Sequence, residues 1–237
     1  GYGFEQSGNL ESALNIFGQV MAADPLLVEA QVAFARVSIA MGSMTRGIAM
    51  LTALIDDHPE NEAVRAQLTQ AYIQNGDFKA ASLFIAPVLD SVDTSADTLN
   101  LGGKIAEVAG ESVRARELYE RALRKSPGDP LILQNLALSF ALAEDYSTAV
   151  ALLQSMMDKP AGLISGKVAL ATVYALSGQL QAAMVLARGS MELDRANTRR
   201  VFYQLLPRLN PDERAIAVLF DKVPKDAVER LSGAAAK

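Results

Sequence analysis

Residues Val168 to Ala187, VALATVYALSGQLQAAMVLA, form the longest uncharged stretch of the chain, held between Lys167 and Arg188. A membrane span needs roughly 18 or more apolar residues in a row. This stretch is interrupted at its middle by Ser177-Gly178-Gln179 and again by Gln181. It therefore reads as two short helices joined by a turn. Within it Tyr174 precedes the turn glycine Gly178, Leu180 follows two positions later, Ala183 three beyond that, and Ala187 four further on.

The same frame recurs in steps of 34 residues: Gly8, Gly42, Gly76, Gly110, Glu144 and Gly178 hold the turn position. Leu10, Met44, Phe78, Ser112, Tyr146 and Leu180 follow it, and Ala13, Gly47, Ala81, Ala115, Ala149 and Ala183 supply a small residue. Phe17, Leu51, Ile85, Tyr119 and Leu153 are bulky at the next position, where Ala187 is the exception. Upstream of each turn stand Phe4, Ser38, Tyr72, Ala106, Phe140 and Tyr174, and Pro25, Pro59, Pro127 and Pro160 close units. Glycine at a turn permits positive φ, alanine lets two helices approach, and bulky residues fill the layer between neighbours.

These residues resemble the tetratricopeptide repeat (TPR), a 34-residue helix-turn-helix, although Trp is absent from every first helix. The resemblance implies an all-α fold, a superhelical solenoid of helix-turn-helix repeats with C-terminal capping helices. The array covers 1–197, with a partial unit at 1–27 and full units at 28–61, 62–95, 96–129, 130–163 and 164–197. Residues 198–237 are the capping helix and a helical extension. Asn197 to Leu206 reads as the cap that a solenoid needs over its last apolar face, stopped by Pro207. Asn210, Pro211 and Glu213 form a capping-box pattern before Ile216, Val218, Leu219 and Phe220. Pro224 starts one more short helix, and Gly233 to Lys237 is expected to fray. The apolar residues of 211–237 need a surface, and the cap helix, a neighbouring copy's groove and a foreign partner are the three choices. Packing on the cap is the expectation, because a short loop costs little to close. Gly1-Tyr2-Gly3 reads as a cut inside an element.

Composition limits the chemistry. The 237 residues contain no Cys and one His, so thiol catalysis, disulfides and His-rich metal sites are excluded. Net charge is −5, which disfavours nucleic acid as partner. Residues 1–100 carry 4 basic and 12 acidic side chains, residues 101–237 carry 18 and 15. His58, beside Asp56 and Asp57, reads as a solvated helix-end residue. Gly102-Gly103-Lys104 lacks the Ser or Thr of a phosphate loop, since Ile105 follows, and Gly103 reads as a close-packing position. Asp90, Asp93 and Asp97 lack calcium-loop spacing and read as helix-end residues. Arg114, Arg116, Arg121, Arg124 and Lys125 interleave with Glu111, Glu117 and Glu120 as a salt-bridged outer face. Arg188, Arg195, Arg199 and Arg200 have fewer acids nearby and stand as either contact surface or ordinary surface. No catalytic, metal or cofactor constellation results, and none is expected.

The TPR resemblance implies that first helices line a concave face through their second, fifth, ninth, twelfth and thirteenth positions. Arg36, Gln70, Gln74, Asn100, Lys104, Gln134, Leu138, Leu142 and Thr172 are the resulting candidate partner-binding residues, with Lys104 and Leu138 expected to face ligand rather than core. No three consecutive units supply the Lys, Asn and Arg set of carboxylate-clamp TPR proteins. A helix or extended peptide is the implied ligand, and the protein a non-enzymatic scaffold. Leu133 to Ala143 (LQNLALSFALA), Val168 to Ala183 and the cap ending at Leu206 resemble the TadD-type TPR lipoproteins of Tad/Flp pilus assembly. That resemblance implies a periplasmic, outer-membrane-associated factor for secretin or pilus biogenesis. The segment after Asn210 and the missing lipidated cysteine depart from it. A cytoplasmic regulatory or self-assembling TPR module, in which the cationic cap end of one copy meets the acidic first half of another, is the alternative.

Overall fold

The computed structural model describes residues 2–235. It divides into two compact units, Gly1–Thr94 and Ser95–Lys237. The first contains α1 (Tyr2–Gln6), α2 (Leu10–Ala23), α3 (Val28–Ala40), α4 (Met44–Asp57), α5 (Glu62–Asn75) and α6 (Phe78–Leu89). The second contains α7 (Ala96–Val108), α8 (Ser112–Lys125), α9 (Pro130–Leu142), α10 (Tyr146–Met157), α11 (Leu163–Leu176), α12 (Leu180–Arg188), α13 (Leu193–Leu205), α14 (Pro211–Phe220) and α15 (Lys225–Ala235). No strand occurs among the described residues, and the fold is all-α, built of helix pairs on the repeat frame. No helix is long and apolar enough to cross a membrane among the described residues.

Local chemistry starts the helices where the repeat frame turns. Side-chain oxygens of Asn9, Asn61, Asp77, Ser95 and Asp145 accept the backbone N–H three residues on, and Asp129 accepts from those two and three residues on, Leu131 and Ile132. At the turns themselves Gly42, Gly76, Gly110 and Gly178 all have positive φ. Glu144, which stands in the glycine position, is forced into the same conformation at φ 63°. The frame, not the residue, dictates that backbone.

The pairs pack as small against bulky. Ala13, Ala81, Ala115, Ala149 and Ala183 are fully buried, and Phe17, Leu51, Ile85, Tyr119 and Leu153 fill the layers around them. At Gly47 even a methyl group would collide with Ile39. Arg65 of α5 is buried in the first unit and donates from Nη1 to the Phe84 carbonyl (3.0 Å) and from Nε to the Pro59 carbonyl.

The C-terminal segment departs from expectation in three places. α12 stops at Arg188 and α13 begins at Leu193, inside the last expected unit, because Gly189 and Ser190 interrupt the helix. α15 continues to Ala235 instead of ending at Gly233, while residues 236–237 lie outside the described residues. The larger difference concerns α14. After the 3-10 turn Leu206–Arg208 it packs on α7 and α9, the first helices of two repeats, as well as touching the turn below the cap.

Candidate functional site

In the unit Gly1–Thr94 the candidate residues sit on α3 and α5. Arg36 is engaged within its own unit: Nε and Nη2 donate to the two Glu5 carboxylate oxygens, both at 2.6 Å, and the guanidinium lies 5.6 Å from the Tyr2 ring centroid. The Glu5 hydrogen bonds hold the Arg36 pKa above its ordinary value. Gln70 and Gln74 are exposed on α5. Tyr72 on the same helix stacks on Phe84, with centroids 5.2 Å apart.

In the unit Ser95–Lys237 the candidate face is lined by α7, α9 and α11, and much of it is covered. Asn100 is buried and accepts from Asn135 Nδ2 at 2.9 Å. Thr172 is buried and donates to the Val168 carbonyl at 3.2 Å. Leu138 is only 2% exposed and shares one apolar cluster with Leu153, Leu170 and Leu219. It is buried here, with Leu219 of α14 among the residues that cover it. Gln134 and Leu142 are half-buried. Lys104 places Nζ 4.1 Å from the centroid of the Phe220 ring, a cation-π contact between α7 and α14. Burial pushes its pKa down to about 8.

α14 can lie on that face because its own sequence is amphipathic over a few turns. Ala215, Ile216, Ala217 and Leu219 are buried, and Val218 and Phe220 pack against the same clusters. Glu213 accepts from the Asn210 N–H at 2.8 Å, which fixes the start of the helix, and also pairs with Arg230 at 2.6 Å. At the other end Asp221 adopts φ 55° and forms a two-point ion pair with Arg199. Arg199 also stands 4.7 Å from the Phe202 ring centroid. Thus Arg199 is a clamp on α14, whereas Arg188, Arg195 and Arg200 remain exposed.

A polar cluster that the repeat frame does not reveal lies between α7, α8 and α9. Glu107 is buried, and its carboxylate accepts from Ser112 Oγ at 2.9 Å and from Ser139 Oγ. Desolvation raises its pKa, and the two serines partly oppose that shift. Arg116 leans 5.2 Å from the Phe140 ring centroid and acts on the Glu107 charge, so it does not belong to a purely solvated outer face. Arg114 does pair with Glu117, at 3.8 Å on one helix surface. Beside Glu107 a cleft of about 500 Å³ runs between Leu142, Glu144, Asp212 and Arg214. His58 is an exposed helix-end residue whose N–H bonds the Leu54 carbonyl. No group of three His, Asp or Glu side chains able to hold a metal occurs among the described residues.

Comparison with known proteins agrees with this architecture. Residues 39–101 match the family model described as tetratricopeptide repeat. Human tetratricopeptide repeat protein 7A is 24% identical over 147 residues, covering 62% of this chain; the chain spans only 17% of that relative's length. A TPR protein structure from Parabacteroides merdae superposes with TM-score 0.73 at 14% identity, covering 97% of this chain and 93% of its own. PilF of Pseudomonas aeruginosa gives 0.66 at 14% identity, over 86% of this chain and 91% of its own. YrrB, described as a TPR protein with an unusual peptide-binding site, gives 0.57 at 12% identity, over 80% and 97%. Residues 39–101 thus match the tetratricopeptide repeat, and the helix pairs built on the 34-residue frame have the all-α TPR fold of the solved structures to which the chain is similar.

Proposed function

We propose that the chain is a non-enzymatic scaffold whose first-helix faces receive a helical segment of a partner protein. The observation that carries this reading is α14 itself: a short amphipathic helix lies across α7 and α9 and buries its apolar side there. Protein or peptide binding is what a TPR fold suggests, and the peptide site described for YrrB is consistent with it. The proposed contact residues are Gln70 and Gln74 on α5, and Lys104, Gln134 and Leu142 at the covered face. Arg36, Asn100, Leu138 and Thr172 complete the set as residues that shape the faces from within.

The finer reading is an envelope assembly factor for Tad/Flp pilus or secretin biogenesis. Its support is the resemblance of residues 133–143, 168–183 and the cap to TadD-type lipoproteins, with the likeness in fold to PilF beside it. The acidic first half and the cationic remainder favour the second reading, a cytoplasmic or self-assembling module. Photo-crosslinking residues introduced at Gln70 and Gln74 in the native host, with identification of the captured protein, test both. Capture of a pilus or secretin component, together with palmitate incorporation into the full gene product, supports the envelope reading. Capture of another copy or of a cytoplasmic regulator, without lipid incorporation, overturns it.

A further inference from the structure

Ile216 and Leu219 are 8% and 6% exposed although they belong to a ten-residue helix outside the repeat frame. Their helix packs on α7 and α9, whose faces are the proposed ligand sites. Leu219 joins the cluster containing Leu138 and Leu170, and Phe220 takes the Lys104 ammonium. The segment is attached on one side through the turn Leu206–Arg208, with Pro207 and Pro211 flanking Asn210. On the other side Asp221 holds a left-handed conformation, and its carboxylate pairs with Arg199 while being largely exposed. The fastenings at its ends include two ion pairs, Arg199 with Asp221 and Arg230 with Glu213, each with one partner exposed to water and salt and the other mostly buried.

We propose that the α7/α9 face is a helix-binding groove kept closed by α14 as its resident ligand, and that the outside partner is a helix of another protein carrying the α14 pattern. That pattern is an opening Pro with an acidic first turn, apolar residues spaced as Ala215, Ile216 and Leu219, and an aromatic placed as Phe220. A tethered segment competes at an effective concentration on the order of millimolar, so an outside helix enters only when it binds better or when α14 is loosened. Binding is then displacement, and the ordering of the partner helix is matched by the release of one already ordered. This inference rests on the reading of the chain as a helix-binding scaffold, and is indifferent to its compartment.

The probe is a fluorescein-labelled peptide of residues 209–223 titrated into the full chain and followed by anisotropy. The wild type is expected to bind weakly. The double variant Leu219→Ala/Phe220→Ala, which loosens α14 without removing it, is expected to bind at least tenfold tighter, and adding Lys104→Ala to it is expected to weaken capture again. A loosened variant with native circular dichroism that binds no tighter than wild type overturns the proposal. Should that variant fail to fold, hydrogen exchange on the wild type decides the matter. Faster exchange in α14 than in α9, accelerated further by excess unlabelled peptide, supports displacement; α14 exchanging with the slow core and unmoved by peptide overturns it. Wild-type dimers in light scattering that dissociate on adding the peptide assign the groove to a second copy and overturn the commitment to another protein. Success here with failure of the Gln70 and Gln74 crosslinks leaves the groove chemistry intact and removes only the envelope assignment.

Discussion

A methyl group on Gly103 would stand 2.5 Å from Cε1 of Tyr119, whose ring is completely buried in the same repeat. The two positions are the small member and the bulky member of one helix pair, and α7 and α8 approach as far as a hydrogen on Gly103 allows. Burial also drives the Tyr119 hydroxyl pKa well upward. We expect Gly103→Ala to cost about 1 to 3 kcal/mol in chemical denaturation, because the ring has no room to retreat. Adding Tyr119→Leu should recover part of that loss, and strictly additive losses would show that the two residues do not share the constraint.

Glu144 predicts a gain. Its left-handed backbone at φ 63° costs an L-residue with a side chain roughly 1 kcal/mol, a strain that glycine lacks. Glu144→Gly should raise the melting temperature, whereas Gly178→Ala, made at the equivalent turn, should lower it. A Glu144→Gly protein melting below the parent would mean that the Glu144 side chain makes a compensating contact.

Much of this was legible because the constraints are local. A turn that needs positive φ, a small residue and a bulky one recur at fixed offsets, and Gly76, Ala81 and Ile85 report them within a single helix pair. The place of α14 was not legible. Sequence proximity points to the cap, and Ala217 does pack with Tyr203, Leu206 and Leu209, but the opposite side of the helix also meets α7 and α9, where Leu219 joins Leu138 and Leu170. Glu107 was equally hidden, since its partner Ser139 comes from the next repeat, 32 residues away, and periodicity along one helix says nothing about pairs between helices.

Leu138 tests how tightly the face beneath α14 is packed. Leu138→Ala should cost about 2 to 5 kcal/mol of stability, the range for opening a cavity at a buried leucine. Urea denaturation monitored by circular dichroism reads this directly. A change within experimental error would show that Leu138 is not packed against Leu170 and Leu219.

Glu107 predicts a pH dependence with a definite sign. Its folded-state pKa is raised, so its contribution is fully present below the ordinary carboxylate range and is lost as pH rises through the raised value. Glu107→Gln keeps an acceptor for Ser112 and Ser139 but carries no charge to desolvate. The variant should match the parent near about pH 4 and become relatively more stable toward neutrality. A stability difference that does not change with pH would show that the carboxylate is adequately solvated.

The buried hydrogen bonds of α7 and α9 also bear on how near-identical modules know their sequence of assembly. Apolar layers of alanine and leucine are interchangeable, so a chain of similar helix pairs could stack out of turn during folding. Asn135 donates to the Asn100 amide oxygen and Ser139 to the Glu107 carboxylate because unit 96–129 is followed by 130–163. Unit 28–61 in that place, with Val32 and Ile39 at the equivalent positions, would strand these groups without partners, at about 1 to 3 kcal/mol for each. Two polar pairs thereby act as an address label, telling one repeat which neighbour it must accept.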